Sequence, residues 1–576
     1  MSRAARAALA IAALTLLLYG RALGYGFVYD DWLHVVDEPV PEQISQVARI
    51  FIEPMSPLVP YYRPIPRLLN VAQKWLHGAA PLPFHALNLA LGFACAWALR
   101  SVLASPALGF GARAATLGAL IFLVHPLASE CIAPITSGRE TLLPTLFTLL
   151  AIAAYFRATP RGRAAAVACF ALGLLSKEQA IVLPALLVLA DGLRIAPDPP
   201  RGARAWLARY APHVAVVVAY AALRALAIPA DEGPKLALLS HPAGPLLSLL
   251  YDVQTTFAPF FAVVYEPALA AWWSWPRLAF AAVFASALLW LAFRADRRRA
   301  LWLLALIALS LAPTANVLAQ ETAFAERWGF VALAGWAGLA ALALRDRFER
   351  SRIAWAAVVA AGLAFGGVSA VRAGAYRDEG SFLAQWRASS PTSRQAWIST
   401  GEAAERRGDF DTAIAAYRRV LALEPDTQLA HASLAVALGA QGNLAAAQRH
   451  AERAVALDPR DAESWSNLGG IRARRGDLAG AVADYEHALA LRPDLANAHN
   501  NLALALRARG DLAGARVHLE AALARSPQFA AAHANLGDLL AAQGDRAGAE
   551  RHLTRALALD PELHPAREAL ARLRTR

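Results

Sequence analysis

Three residue types recur every 34 residues in the last third of this 576-residue chain. They are the prolines Pro425, Pro459, Pro493, Pro527 and Pro561, the glycines Gly408, Gly442, Gly476, Gly510 and Gly544, and the alanines Ala413, Ala447, Ala481, Ala515 and Ala549. Glycine permits a tight turn, alanine permits close packing between helices, and proline ends a helix. The period therefore predicts five two-helix repeats over 394–563, followed by a charged capping helix over 564–576.

A 34-residue period with these residue types is typical of the tetratricopeptide repeat, whose arrays form a superhelix with a concave groove. Asn467, Asn501 and Asn535 recur at the same interval, at the sixth position of the first helix. Because an amide both donates and accepts hydrogen bonds, this row resembles the asparagine ladder of peptide-binding tetratricopeptide superhelices. We predict that these asparagines bind the backbone of an extended polypeptide. The alternative is that they cap or bridge neighbouring helices.

Residues 1–376 alternate apolar runs with short polar loops, and residues 377–393 are a polar linker that contains a short helix. The chain is 57% hydrophobic and 17% charged, whereas soluble domains contain about 25% charged residues. This composition excludes a wholly soluble protein, a disordered chain and a fibrous repeat. Runs of about 20 apolar residues can cross a bilayer. About eleven candidate runs begin near Ala7, Leu82, Ala114, Thr141, Ala164, Ala180, Trp206, Arg277, Ala300, Trp328 and Ile353.

The chain carries a net charge of +12, and its arginines lie mostly in the short loops between apolar runs. This distribution favours a lipid bilayer over nucleic acid as the partner, because positively charged loops stay on the cytoplasmic side. If all the basic loops are cytoplasmic, residues 243–264 do not cross the membrane fully. The repeats then lie on the non-cytoplasmic side of the membrane. We therefore predict a multi-pass protein of the bacterial inner membrane with periplasmic repeats, or of the endoplasmic reticulum membrane with lumenal repeats.

The predicted outer loops combine acidic with basic residues. The largest, 21–81, contains Asp30 and Asp31, then a short amphipathic segment, and then Arg63. The other outer loops hold the cations Arg139, Lys177 and Arg327 and the acids Glu130, Glu140, Glu178 and Glu326. The three cysteines lie far apart and no histidine pair has metal-ligand spacing, so we predict neither a disulfide framework nor a zinc site.

Several short motifs occur in an order that resembles the TMTC-type protein O-mannosyltransferases, which are multi-spanning enzymes followed by tetratricopeptide repeats. The motifs are FVYDDWLHVV, YYRP, FHALNLALG, FLVHPLASECIAPITSGRETLL, GLLSKEQAIVLPALL and AERWGF. The resemblance implies an all-α fold in which 1–376 form a polytopic GT-C-like membrane bundle. It implies that the donor substrate is a polyprenyl-phosphate sugar and that the sugar is mannose. It also implies that Asp30 or Asp31, in the catalytic loop 21–81, acts as the base. A divalent metal ion beside this acid is compatible with the resemblance, and no other cofactor is expected.

The chemistry of inverting sugar transfer agrees with these residue types. It needs a base for the acceptor hydroxyl and positive charge at the departing phosphate. A carboxylate next to a membrane is partly desolvated, and an adjacent like charge raises the pKa of one member of a pair. Consecutive residues face different ways, so we expect Asp30 to act on the acceptor and Asp31 to orient a neighbour, or the reverse. The alternative is a helix N-cap before WLHVV.

The departing phosphate needs cations, because arginine and lysine both bind phosphate oxygens. We predict that Arg63, Arg139, Lys177 and Arg327 bind the donor phosphate. We predict that Glu130, Glu140, Glu178 and Glu326 hold these cations in place. The alternative is that these ion pairs only neutralise each other at the interface.

Three functions follow from these observations. The first is a membrane glycosyltransferase that moves a sugar to Ser or Thr hydroxyls of a polypeptide held by the repeats. The second is a non-catalytic, membrane-anchored scaffold for protein–protein interaction. The third is a lipid-linked glycan ligase, whose acceptor is a saccharide. The paired charges in the outer loops favour an enzyme, and the asparagine row favours a polypeptide acceptor.

Overall fold

The protein is described by a computed structural model, which covers residues 2–28, 31–41, 43–54, 61–228, 256–257, 275–312, 330–350 and 352–575. These residues form helices, turns and loops, and no strand occurs among them. They divide into two compact units, Met1–Pro391 and Thr392–Arg576. The boundary between the units falls inside the predicted linker.

Fifteen helices are described in the first unit. They are α1 (Arg3–Tyr19), α2 (Ile44–Arg49), α3 (Pro64–His77), α4 (Pro81–Leu103), α5 (Ala112–Val124), α6 (Ser129–Ile132), α7 (Thr136–Tyr155), α8 (Pro160–Ser176), α9 (Leu183–Gly192), α10 (Ala203–Ala227), α11 (Trp275–Ala295), α12 (Arg297–Leu311), α13 (Phe330–Arg350), α14 (Arg352–Ala373) and α15 (Glu379–Ser389). Proline occupies the first turn of α3, α4, α8 and α9, where its fixed φ favours a helical start and its missing N–H costs no hydrogen bond.

Four helices among the described residues are long and apolar enough to cross a membrane, and counting one bent helix pair as a span gives five. The four are Arg3–Gly24, Pro81–Leu103, Ala203–Ala227 and Leu278–Ala295, and the pair is Ala112–Val124 with Pro126–Ile132, bent by 62°. This is fewer than the eleven spans that the sequence predicts.

Part of the shortfall arises because several apolar runs form short helices, whereas the runs near Thr141, Trp328 and Ile353 form helices of 20, 21 and 22 residues that are not among the candidate spans. The runs that begin near Ala114, Ala164, Ala180 and Ala300 become α5, α8, α9 and α12, with 13, 17, 10 and 15 residues. A straight span needs about 20 residues, so these helices are below that length. Of the predicted re-entrant segment 243–264, all but residues 256–257 lie outside the described residues.

Several buried polar residues of the first unit lie at the N-terminal end of α7, among them Thr136 and Arg139. Helices α4 and α8 pack along α7, and α5 packs between α4 and α13. Helix α3 contacts α4, α7 and the short π-helical segment Trp32–Val36. This arrangement brings the predicted outer loop, which contains Asp31, to the start of α7.

The second unit consists of the five predicted helix pairs and a final helix. They are α16 (Arg394–Arg406) with α17 (Phe410–Leu423), α18 (Gln428–Ala440) with α19 (Leu444–Leu457), α20 (Ala462–Arg474) with α21 (Leu478–Leu491), α22 (Ala496–Ala508) with α23 (Leu512–Arg525), α24 (Ala530–Ala542) with α25 (Arg546–Leu559), and α26 (His564–Thr575). Each repeated glycine has a φ between 73° and 90°, which an L side chain rarely adopts. The repeated alanines are fully buried. Both residue types therefore have the roles that the period predicts.

The second helix of every repeat begins with the same side-chain cap. The residue after each repeated glycine accepts a backbone N–H from the first turn of that helix. These caps are Asp409, Asn443, Asp477, Asp511 and Asp545. Aspartate and asparagine are preferred there because their short side chains satisfy an N–H that has no partner within the helix.

The first helices line the inner face of the array. Helices α18, α20, α22 and α24 contact one another in succession, whereas the second helices pack mainly against first helices. In a superhelix of this kind the surface shared by the first helices is concave. The predicted asparagine row lies on α20, α22 and α24.

Candidate functional site

Asp31 is buried and both of its carboxylate oxygens are bound by backbone groups. Its side chain is 2% exposed. Oδ2 accepts the N–H of Val28 at 3.1 Å and Oδ1 accepts the N–H of Thr136 at 2.8 Å. Burial raises the pKa of the Asp31 carboxyl above its usual value, and the hydrogen bonds from Thr136 and Val28 offset part of the rise. Asp31 therefore caps α7 and does not cap the segment WLHVV that follows it.

Asp30 lies outside the described residues, as do Arg327 and Glu326. Asp30 is nevertheless the chain neighbour of Asp31, whose backbone N–H also donates to the carbonyl of Val28 at 2.9 Å. The position of Asp31 is therefore fixed from both sides, by the start of α7 and by its own turn. The orienting role of Asp31 therefore stays a prediction, and the structure shows that its carboxylate is already bound by backbone N–H groups.

Arg139 is fully buried and its guanidinium is bound by the protein. Nε donates to Oδ1 of Asn88 at 3.1 Å, and Nη1 donates to Oδ1 of Asn70 at 2.5 Å. Nη2 donates to the carbonyl of Phe84 at 3.1 Å, and the guanidinium lies 4.9 Å from the centre of the Phe84 ring. The guanidinium thus joins α3, α4 and α7. Arg139 also lies one turn after Thr136, whose N–H binds Asp31.

Arg63 is the centre of an ion-pair cluster beside this core. It forms ion pairs with Glu140 and, at 3.6 Å, with Glu178, and its guanidinium lies 4.3 Å from the centre of the Tyr61 ring. Arg63 is nearly buried, whereas half of the Glu178 side chain is exposed. Lys177 precedes Glu178 and is 5% exposed. Four of the predicted residues therefore converge, and the cluster opens to solvent at Glu178.

Glu130 belongs to a separate cluster. It accepts hydrogen bonds from Arg372 at 3.3 Å and from the hydroxyl of Tyr376. Both partners lie at the C-terminal end of α14 and immediately after it. The nearby carbonyl of Arg377 accepts the N–H of Gly26 at 2.8 Å. The chain that follows α14 is thus bound to the outer loop just before Asp31 and to the short helix before α7.

The sequence did not indicate four of the residues that organise this region. They are Asn70, Asn88, Arg372 and Tyr376. Asn70 and Asn88 are buried amides within α3 and α4, and a buried amide requires a hydrogen-bond partner. A polar residue in the sequence of a buried helix therefore indicates that a hydrogen-bond partner is present, but it does not identify Arg139 as that partner.

The predicted asparagine row of the repeats is only partly directed to the groove. Asn535 donates to Asn500 at 2.8 Å, and Asn500 donates to Asn501 at 3.2 Å. Asn500 is buried and was not part of the prediction. These amides therefore bridge repeats 4 and 5, as the alternative interpretation expects. Among the described residues Asn467 has no hydrogen-bond partner, and it is half-buried on α20.

Among the described residues no group of three or more His, Cys, Asp or Glu side chains has the arrangement of a metal site. The acids near α7 are instead bound by backbone N–H groups and arginines. Arg139 is held by amide and carbonyl oxygens, and Arg63 is held by acids.

Comparisons with known proteins concern the repeats. Residues 469–508 match a family model described as "TPR repeat", and residues 404–469 and 506–574 match one described as "Tetratricopeptide repeat". A search of curated proteins gave no match.

Solved structures with similar repeats include MamA, with 25% identity, a TM-score of 0.25, and 29% of this chain and 92% of that chain covered. TTC0263, a thermophilic TPR protein of Thermus thermophilus, has 22% identity and a TM-score of 0.29, with 32% and 100% covered. PilW, a type IV pilus biogenesis factor, has 21% identity and a TM-score of 0.31, with 35% and 92% covered. The family models and the repeat geometry identify the repeats. The C-terminal part of the chain consists of tetratricopeptide repeats, a repeat class that suits protein binding.

Proposed function

We propose that the first unit is a membrane glycosyltransferase that uses a polyprenyl-phosphate sugar, and that the repeats hold its polypeptide acceptor. The observation that carries the proposal is the cluster of Arg63, Lys177, Glu140 and Glu178 beside the buried Asp31. Buried charges in an apolar helical unit are costly and are usually retained for function. Four helices that could cross a bilayer are consistent with a lipid-linked donor.

The proposed reaction is a single inverting displacement. The carboxylate of Asp30 removes the proton of a Ser or Thr hydroxyl, and the oxygen bonds to the anomeric carbon. The bond between that carbon and the phosphate oxygen breaks, and the electron pair leaves with the polyprenyl phosphate. Arg63 and Lys177 stabilise the negative charge on this phosphate. Asp31 holds the adjacent loop in place through its bonds to Val28 and Thr136.

The roles of the two buried arginines differ in this proposal. Arg139 donates three hydrogen bonds to groups of α3 and α4, so it positions these helices. Arg63 is next to the half-exposed Glu178, so a phosphate can reach it from solvent. Arg327 and Glu326 remain candidates for the same site.

Transfer of radiolabelled mannose from polyprenyl-phosphate mannose to a Ser/Thr-containing peptide tests the proposal in membranes that contain the full chain. We expect Asp30→Asn and Arg63→Gln to abolish transfer while expression is retained. Arg49→Gln is the matched control, because Arg49 is an exposed cation of the same outer loop. Unchanged transfer by Asp30→Asn and Asp31→Asn would end the assignment.

A non-catalytic scaffold is the second candidate, and the five tetratricopeptide repeats favour it. In that case the ion pairs of the first unit only stabilise its fold. Native mass spectrometry of the purified full chain separates the two functions. A bound lipid-phosphate sugar that is lost in Arg63→Gln supports the enzyme, whereas no bound lipid and an unchanged set of partner proteins supports the scaffold. Assaying sugar transfer to a peptide acceptor and, separately, to a glycan acceptor distinguishes both of these functions from a glycan ligase.

A further inference from the structure

The groove-facing positions of the first helices are more apolar in repeat 2 than in the other four repeats. Positions two, six and nine are spaced by four and three residues, so they share one face of each helix. In repeats 1, 3 and 5 these positions hold only polar or small residues: Gln395, Ser399 and Glu402; Glu463, Asn467 and Gly470; Ala531, Asn535 and Asp538. Repeat 4 has one large apolar residue among Asn497, Asn501 and Leu504, and repeat 2 has two among Leu429, Ser433 and Val436. Repeat 2 therefore has the most apolar inner face of the five.

Leu429 and Val436 are exposed even though α18 has an apolar core side. They are 46% and 42% exposed, whereas Leu434 and Leu438 of the same helix are buried in the array. Leu504 of repeat 4 is partly buried, so it offers less apolar surface to a ligand. The two exposed side chains of repeat 2 are seven residues apart and lie on either side of Ser433. Together they give repeat 2 a small apolar surface on its inner face, against which an apolar side chain of a partner can pack.

The repeats on either side of this pair supply polar groups. Repeat 1 has Glu402 at the position equivalent to Val436, and Glu405 one turn further on. Burial raises the pKa of the Glu405 carboxyl above its usual value, a hydrogen bond with Tyr417 offsets part of the rise, and the charge of Glu402 adds to it. Two carboxyl groups one turn apart on this helix are complementary to a basic side chain. Repeat 3 has Asn467, whose amide can both donate and accept.

We propose that the inner face of repeat 2 binds an apolar side chain of an extended polypeptide that also carries a basic residue. The apolar side chain packs between Leu429 and Val436, the basic side chain lies against Glu402 and Glu405, and the amide of Asn467 binds the peptide backbone. This deepens the proposed function of the repeats, on which it depends. Specificity for the polypeptide therefore comes from repeats 1 and 2, and the amides supply sequence-independent affinity.

Fluorescence anisotropy of labelled 12-residue peptides tests the proposal with the full chain in nanodiscs. The probe peptides have a Gly/Ser background with one Arg and one Leu at varied separations, and their partners have Ser in place of that Leu. At the best separation we expect about a tenfold loss of affinity on replacing Leu by Ser, which is the effect of one buried aliphatic side chain. The double variant Leu429→Ser, Val436→Ser is expected to lose the same factor and to no longer distinguish the two peptides.

Val517→Ser is the matched control, because Val517 is 62% exposed but lies on the outer helix α23. We expect it to bind both peptides as the unmodified chain does. Equal binding of the Leu and Ser peptides, or no binding of any peptide, would overturn the proposal. Because the readout is peptide binding, a failure of sugar transfer leaves this result unchanged, and the two proposals fail separately.

Discussion

The carboxylate of Asp31 and the backbone N–H of Thr136 are hydrogen-bonded at 2.8 Å, although the two residues are 105 positions apart in the chain. This bond joins the outer loop to the first turn of α7. Thr136 begins the helix that contains Arg139 and Glu140. The position of the predicted catalytic loop is therefore coupled to the two charged residues that organise the site.

Asp31→Asn tests this coupling. An amide has one acceptor oxygen, so one of the two backbone N–H groups is left without an acceptor and faces an NH₂ group. We expect the free energy of unfolding to fall by about 1 to 3 kcal/mol, the range for an unsatisfied buried donor. Thermal unfolding of the full chain in detergent measures the change. Asp37→Asn, an exposed residue of the same loop, is the control and is expected to be neutral.

Arg139→Lys tests whether the guanidinium geometry is required. The Arg139 side chain reaches acceptors on Asn70, Asn88 and Phe84 from three different nitrogens. A lysine keeps the charge but has a single nitrogen, so it cannot reach all three. We expect a loss of stability of about 3 kcal/mol, since two buried acceptors lose a charged donor. Arg113→Lys, at an exposed position on α5, is the control. If the two variants are equally stable, the three hydrogen bonds of the Arg139 guanidinium are not required for folding.

Gly138→Ala tests the close approach of α6 and α7. A Cβ at this position would lie 2.3 Å from the carbonyl oxygen of Cys131 and 2.9 Å from Nδ2 of Asn88. Neither contact is possible without moving the backbone of α6 or the partner of Arg139. We expect markedly reduced yield of folded protein by size-exclusion chromatography. Gly192→Ala is the matched control, because nothing lies within 4 Å of its added Cβ; similar yields would contradict this packing.

Local signals predicted the repeats, whereas the site required long-range information. The repeated glycine, alanine and proline act within one helix pair, so their spacing is sufficient to predict the helix bounds. The bond between Asp31 and Thr136 cannot be read from spacing. Arg63, Glu140 and Glu178 were predicted as members of one site, but their pairing was not, because ion-pair partners are set by packing. The span count was too high because apolar runs do not reveal where a helix ends.

Three histidine pairs connect the two helices of repeats 2, 4 and 5. Their Nδ1 atoms are 2.9, 3.0 and 2.9 Å apart. The pairs are His431 with His450, His499 with His518, and His533 with His552. The first histidine of each pair donates from Nε2 to a proline carbonyl, as the indole of Trp465 does in repeat 3. Its Nδ1 is therefore an acceptor, and the second histidine donates.

Acid is expected to weaken the repeats through these pairs. Burial lowers the pKa of the second histidines below the ordinary value of 6.5. Charged side chains also face these histidines. His450 is near Arg449 and Arg418, and His518 is near Glu486 and Asp511. His499 is near Arg525, and His552 is near Arg551, Glu520 and Asp545. A lowered pKa means that the stability is present above pH 6.5 and is lost as the pH falls through the folded-state value.

The triple variant His450→Gln, His518→Gln, His552→Gln removes this titration but keeps a side-chain donor in each pair. Between about pH 7.5 and pH 5 we expect the melting temperature of the unmodified chain to fall by several degrees more than that of the variant, at about 2 to 4 °C for each kcal/mol. Differential scanning fluorimetry measures both. His564→Gln is the control, because His564 is exposed and outside the pairs. Parallel pH curves for all three proteins would exclude the pairs as the cause.

Asn500 and Asn467 provide a matched test of which asparagines stabilise the array and which bind a ligand. Asn500 accepts from Asn535 of the next repeat and donates to the adjacent Asn501, so Asn500→Ala leaves one donor and one acceptor unpaired. We expect it to lower the free energy of unfolding by about 1 to 3 kcal/mol in urea titrations. Asn467→Ala removes an amide that has no partner among the described residues, so stability is expected to change by less than about 0.5 kcal/mol.

Peptide binding is expected to respond in the opposite way. Asn467→Ala removes a group that can bind the peptide backbone, and its affinity for the Arg- and Leu-containing peptide should fall by about fivefold, the effect of one net hydrogen bond. Asn500→Ala should retain most of its affinity at temperatures where it is folded, because Asn500 is buried and directed to other side chains. The reverse pattern would show that the amide network across repeats 4 and 5 is the binding surface. We therefore expect the asparagines of repeats 4 and 5 to bridge helices and Asn467 of repeat 3 to bind the ligand.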